Sequence, residues 1–231
     1  VKSRNFSKVW KTFAGTIVIV AAGLTGTADE NDQYWMTGSL SGKLTDKITV
    51  KIAGQTRFKD ETHYYRHTDF GLSFKLGKGW SISPTFRDVE QKTGGSDNWR
   101  SQSGYILDFS NKYKVDAIGV ALSSRFRFCN FGNNYNDDSS TDFRPKFTVS
   151  PAKGYTSWKL TPYIADEIMY KFDETGKNEG LYRNRVSVGM KFSPIKNLSL
   201  DLSIMDEQTE SKSNSQWAEN WNTCLSAGYK F

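Results

Sequence analysis

From Leu181 to Glu207 the chain alternates with a period of two. Val186, Val188, Met190 and Phe192 take turns with Arg185, Ser187, Gly189 and Lys191; past Ser193–Asn197, Leu198, Leu200, Leu202 and Ile204 alternate with Ser199, Asp201, Ser203 and Met205. Period two places successive side chains on opposite faces of an extended strand, so this stretch predicts a hairpin with one apolar and one polar face. Each arm is about as long as a tilted strand needs to cross a bilayer. Lipid on the apolar side and a polar interior on the other is the arrangement of a membrane β-barrel wall.

Nine such segments are readable besides the two arms of the hairpin, eleven in all. The apolar phase passes through Tyr34, Met36 and Leu40, then Ile48, Val50 and Ile52, then Phe70, Leu72 and Phe74. It continues through Ile82 and Phe86, Tyr105 and Leu107, Val120 to Phe128, Phe143 to Val149, and Ile164 to Tyr170. The final segment carries Trp221, Leu225, Ala227, Tyr229 and Phe231 in one phase. Tight turns, such as Gly77-Lys78-Gly79 and one placed at 111–114, alternate with polar loops, such as Asn130 to Thr141. The expected fold is therefore all-β, a transmembrane antiparallel β-barrel of 10–12 strands. Eleven conflicts with the even number usual in bacterial single-chain barrels. Either one connection is misread, or the N-terminal segment threads the lumen or lies at an unclosed seam.

Residues 1–28 read as a secretory signal peptide, and 29–231 as the barrel domain. Lys2, Arg4, Lys8 and Lys11 form a basic leader without acids, Phe13 to Leu24 is apolar but short, and Gly26-Thr27-Ala28 offers small residues for cleavage. Removing it takes four of the 31 basic residues and none of the 25 acids, so most of the formal net charge of +6 belongs to the leader. The charge therefore gives no argument for nucleic acid as a partner. Localisation in the bacterial outer membrane is the expectation, with outer-membrane lipids as partners. The barrel insertion machinery would read the C-terminal strand ending in Phe231.

Several stretches resemble one uncharacterised bacterial family of outer-membrane barrels, the domain of unknown function numbered twenty-four ninety. They are Ser124-Arg125-Phe126-Arg127-Phe128, Phe143-Arg144-Pro145-Lys146, Leu160-Thr161-Pro162-Tyr163 with Asp166-Glu167, Tyr182-Arg183-Asn184-Arg185 and Asn197-Leu198-Ser199-Leu200. The resemblance implies an outer-membrane barrel without an assigned activity, and so it brings no catalytic residues.

Candidate chemistry lies on the polar face. His63 and His67 fall in the inward phase of the third strand, about 13 Å apart, too far to share a metal. Asp69 shares that face, and pairing across Lys78 sets it opposite Arg87 and His67 opposite Val89. His67 and Asp69 are the weak candidates for a rim hydrolase site. Cys129 and Cys224 also point inward, and two free thiols are expected in preference to a disulfide. Arg100, Arg125, Arg127, Arg144 and Lys146 form a basic cluster without an evident acidic partner on their own strands, and the 111–114 turn sets Arg100 near Arg125. Buried cations must be satisfied by an ion-pair network from across the lumen or by a bound anion, such as a small permeating anion or a lipopolysaccharide phosphate. Pairing Phe192 with Leu198 would give Arg183 to Glu207. No metal spacing, cofactor loop or nucleic-acid signature is present.

The function these features predict is that of a Gram-negative envelope barrel with a structural, ligand-binding or weak porin-like role and a basic lumen. The alternative is a membrane-embedded hydrolase acting on envelope lipid or peptide at the extracellular rim.

Overall fold

Each alternating segment becomes a strand in the computed structural model, which describes residues 33–92, 98–133, 139–172, 179–210 and 216–231. The proposed signal peptide lies outside the described residues. In chain order the strands are β1 (Gln33–Lys43), β2 (Ile48–Lys59), β3 (Thr62–Gly77), β4 (Trp80–Lys92), β5 (Trp99–Val115), β6 (Val120–Asn133), β7 (Ser139–Pro151), β8 (Thr161–Phe172), β9 (Gly180–Phe192), β10 (Leu198–Glu210) and β11 (Trp217–Lys230). Among the described residues the only helical element is a 3-10 turn at Asp116–Ile118. No helix there is long and apolar enough to cross a membrane.

Neighbours in sequence pair antiparallel, and the sheet closes on itself through β1 and β11. The eleven-strand count resolves without a misread connection. An odd number of up-and-down strands leaves the first and last running the same way, so the closing pair is parallel, with Gly38 opposite Ala227 and Leu40 opposite Tyr229. The C-terminal residue finishes the seam. The Phe231 amide donates to the Ser41 carbonyl at 2.9 Å. Its ring lies where a Cβ on Gly42 would be, within 2.2 Å, so only glycine leaves room for it. We call this end of the barrel the C-terminal rim and the other the loop rim.

The outer face is apolar along every strand. Val188, Phe147 and Leu202 point away from the barrel with 61%, 49% and 44% of their surface exposed, and Leu200 is half-buried among its neighbours. Trp80 and Tyr113 stand near the C-terminal rim, while Tyr105 and Trp221 stand nearer the loop rim, all exposed. The inner face divides in two. Toward the C-terminal rim it is built from small hydroxylated residues, among them Ser39, Thr49, Ser73, Ser81, Ser110, Ser123 and Thr148. Toward the loop rim it carries buried bulk: His67, Arg87, Val89, Ile106, Cys129, Phe131, Met169, Arg185 and Glu207. Val89, Ile106, Cys129 and Phe131 form a small apolar cluster with Tyr65 packed against it.

Three local expectations need correction. The β5–β6 turn is not at 111–114. Lys112-Tyr113-Lys114-Val115 continues the alternation, and the reversal occurs at Asp116–Ile118, closed by Gly119 at φ +64. In the β9–β10 hairpin Phe192 pairs with Leu200, not Leu198, which moves Glu207 opposite Arg185. There Asn197 adopts φ +73, the Leu198 amide turns back to the Ile195 carbonyl, and Ser193 bonds to Trp158 instead. Finally, the β2–β3 ladder shifts register between Arg57 and Phe58. That bulge turns His63 out of the inward phase, onto Thr56 Oγ1 at 2.7 Å and against the Phe58 and Trp99 rings.

One cross-strand contact makes a sharp test of this packing. Tyr163 of β8 reaches over β9 to donate to Asp201 Oδ1 of β10 at 2.9 Å. It crosses at Gly189, where a Cβ would come within 2.6 Å of both the Tyr163 ring and Ser203 Cβ. Gly189→Ala should therefore lower unfolding stability in detergent micelles by about 1–3 kcal/mol. Gly132→Ala, with open space around it, should change stability by less than about 0.5 kcal/mol.

Candidate functional site

The inward charges meet in a layer across the lumen. Strand pairing alone brings two ion pairs face to face: Asp69 with Arg87, and Asp108 with Arg127. Both are two-pronged. Arg87 Nε and Nη2 bind the two Asp69 oxygens at 2.7 and 2.8 Å, and Arg127 binds Asp108 at the same distances. A planar guanidinium presents parallel N–H groups that fit both carboxylate oxygens at once. The Asp69–Arg87 pair is the one expected from the turn at Lys78.

On β6 to β10 the charges lie in one continuous row. Arg125 pairs with Lys146, Lys146 with Glu167, Glu167 with Arg185, and Arg185 with Glu207. Arg125 reaches past Lys146 to bind Glu167 Oε1. Arg185 binds Glu207 at 2.6 Å and lies 3.5 Å from Glu167 Oε2, and Arg183 sits 3.7 Å from Glu207. Arg127 and Arg144 are direct neighbours, a repulsive arrangement in isolation. Arg127 turns to Asp108, while Arg144 Nη2 donates to Asp142 at 2.6 Å, and the Tyr182 hydroxyl donates to the same carboxylate at 3.0 Å.

Four members of the basic cluster thus come together: Arg125, Arg127, Arg144 and Lys146. Arg100 does not join them. It pairs with Gln91 near the loop rim, while Arg125 faces Ser110, because the β5–β6 turn lies beyond 111–114. The arginines of the cluster do have carboxylates. Asp142 escaped the sequence reading although it shares the inward phase of Arg144 two residues on, which is the signal that would have found it. Arg57 escaped as well. Its guanidinium lies 3.7 Å from the Trp35 ring centroid and 4.0 Å from that of Tyr65, and Nε donates to Gln55 at 2.7 Å. Trp35 also receives Arg185 at 4.9 Å, from β9 three strands away around the barrel.

Not every cation is satisfied. Among the described residues Lys51 and Lys146 have no carboxylate within ion-pair distance, and the Nε groups of Arg125, Arg144 and Arg183 are buried without an acceptor. A cavity of about 260 Å³ opens beside this layer, lined by Lys51, Asp69, Ser73, Ser83, Thr85, Asp108 and Arg127.

The rim histidine lacks the company a hydrolase needs. His67 is buried; its Nδ1 meets the Tyr65 hydroxyl at 3.1 Å and its Nε2 stands 3.7 Å from Asp69, whose oxygens are held by Arg87. Among the described residues no serine, threonine or cysteine is hydrogen-bonded to it, so the geometry of a nucleophile and its base is not assembled. His63 points elsewhere, and no three metal-ligating side chains converge among the described residues. Cys129 and Cys224 are both free thiols, Cys129 within the apolar cluster.

Glu167 is the junction of the row, with only 8% of its side chain exposed. Glu167→Gln leaves Arg125, Lys146 and Arg185 sharing one neutral acceptor. Removing one partner of a buried pair costs about 3–5 kcal/mol, and unfolding in micelles should show a loss of that order. Arg66→Ala, which removes an exposed pair with Glu90, should leave the unfolding midpoint unchanged.

The family described as "Protein of unknown function (DUF2490)" matches residues 32–218, most of the chain and ten of its strands in full, and the chain belongs to that family. No curated protein matches the chain.

Proposed function

We propose that this family member is an integral outer-membrane barrel that binds small anions in a basic lumen and is closed to free diffusion on the loop side. The observation that carries the reading is the reversal of polarity between its faces. Val188, Phe147, Leu202 and their neighbours form an exposed apolar belt with aromatic residues toward both edges, while ionised side chains pack inside. In water such a belt would be an unusually large exposed apolar patch; in a bilayer it is the matched surface. Outer-membrane lipids are then its surrounding partner, and the aromatic C-terminal strand ending in Phe231 is the feature the insertion machinery would engage. The anions in view are small solutes or a lipopolysaccharide phosphate.

The buried bulk toward the loop rim argues against a wide pore, and the unpaired Lys51 and Lys146 argue for a bound anion. In this reading the role is binding, with weak transport at most.

Insertion is tested by placing charge on either face. In lipid vesicles Val188→Arg should cost about 2–4 kcal/mol of folding stability, the range for arginine at the bilayer midplane. Ser81→Arg, inside the roomier half of the lumen, should cost far less. Equal costs, or recovery of the native protein outside the outer-membrane fraction, would count against the reading.

A further inference from the structure

The cavity beside the charged layer has a chemistry of its own. Its acidic walls are already committed: both oxygens of Asp69 are held by Arg87, and both oxygens of Asp108 by Arg127. What remains for a ligand is one unpaired ammonium, Lys51, and the N–H groups of Arg127 that Asp108 does not use. Lys51 comes from β2 and Arg127 from β6, so the two cations face the same space from different walls, with Arg125 also among the charged neighbours of Lys51. Three hydroxyls line much of the rest beside Gly71 and Leu72: Ser83 donates to Ser73 at 2.9 Å, and Thr85 stands with them.

Two cations and three hydroxyls suit an acid that also carries hydroxyl groups. The carboxylates of Asp69 and Asp108 can accept further hydrogen bonds from ligand hydroxyls, because each oxygen has a second lone pair. They would repel a bare multivalent anion at the same contact. At about 260 Å³ the space lies just under the usual range for small-molecule sites. Toward the loop rim the next inward residues, His67, Arg87 and Ile106, are all buried. Lys51 is exposed, and the small Ser and Thr residues below it leave the approach from the C-terminal rim open.

We infer that this cavity is a binding site for a small hydroxylated organic anion, a sugar acid or sugar phosphate, that enters from the C-terminal rim and is anchored by Lys51. The inference rests on the reading of the barrel as an anion-binding one and specifies its site and ligand class.

Calorimetric titration of the folded full chain in micelles at low salt tests it, with gluconate, glucose 6-phosphate, glucose and inorganic phosphate as probes. Gluconate or glucose 6-phosphate should bind at one site per chain, at least tenfold more tightly than glucose or inorganic phosphate. Gluconate in preference to glucose 6-phosphate would identify the ligand as a carboxylate, and the reverse as a phosphate ester. Lys51→Met should weaken that binding at least tenfold, and Lys51→Gln serves if Met impairs folding. Ser83→Ala should reduce the preference for the hydroxylated anion over phosphate, and Lys75→Met at the rim should change affinity less than threefold. Anion binding that survives loss of Lys51, or equal affinity for inorganic phosphate, would overturn this site while leaving the anion-binding barrel intact. No binding of any anion would overturn both.

Discussion

A backbone amide or carbonyl facing hydrocarbon has no water to bond with, so a sheet that lies in lipid must have no edge. In the proposed membrane setting that constraint governs the whole chain. Ten antiparallel pairings leave β1 and β11 as the two edges, and with eleven strands they run in the same direction. The barrel closes by accepting a parallel pair, Gln33 to Ser41 against Asn222 to Lys230. Everything that marks the seam follows from this choice. Gly42 stays without a side chain so that the Phe231 ring can cover it, and the last amide of the chain is used on Ser41.

With the apolar face outward, the polar face lies inside, where its charges must find one another. A flat sheet would leave Arg127 against Arg144 and Arg125 against Lys146, like beside like. Curvature brings carboxylates from two strands away within reach, as Arg125 to Glu167 shows, and aromatic rings from three strands away, as Arg185 over Trp35 shows. The resulting network fills the half of the lumen nearer the loops. The other half is left to serine and threonine, and the cavity with its unpaired lysine sits where the two meet. In the proposed reading, binding follows from incomplete pairing: where a network has more cations than nearby acids, an anion completes it.

Much of this was legible along the chain, and the limits have physical causes. The alternation at Val186 to Phe192 or Phe143 to Val149 is enforced by burial on one face only, so it marks strands and their orientation wherever it persists. Asp69 opposite Arg87 could be counted from the turn at Lys78 because that turn is tight. The 111–114 turn could not be placed, since Lys112 to Val115 satisfies both a strand and a polar turn, and Arg100 was drawn toward Arg125 as a result. The bulge beside Phe58 inverted His63, because an extra residue in a ladder leaves no compositional trace. Asp142 lies two residues from Arg144 in the same phase, so alternation alone places the two on one face. Arg57 lies between its direct partners, Trp35 on β1 and Tyr65 on β3, and the same bulge sets where that register ends.

The parallel seam is the feature on which the account stands, and cysteine cross-linking reads it directly. Thr37 and Ser226 are partners in the β1–β11 register and both point inward. With Cys129 and Cys224 replaced by alanine, Thr37→Cys and Ser226→Cys should form a disulfide under mild oxidation in the folded barrel, since paired strands place Cα atoms within disulfide range. Thr37→Cys with Leu198→Cys, positions on strands that do not pair, should not. Absence of the first cross-link in a protein that still folds, or its equal formation in the second, would contradict a barrel closed by β1 and β11.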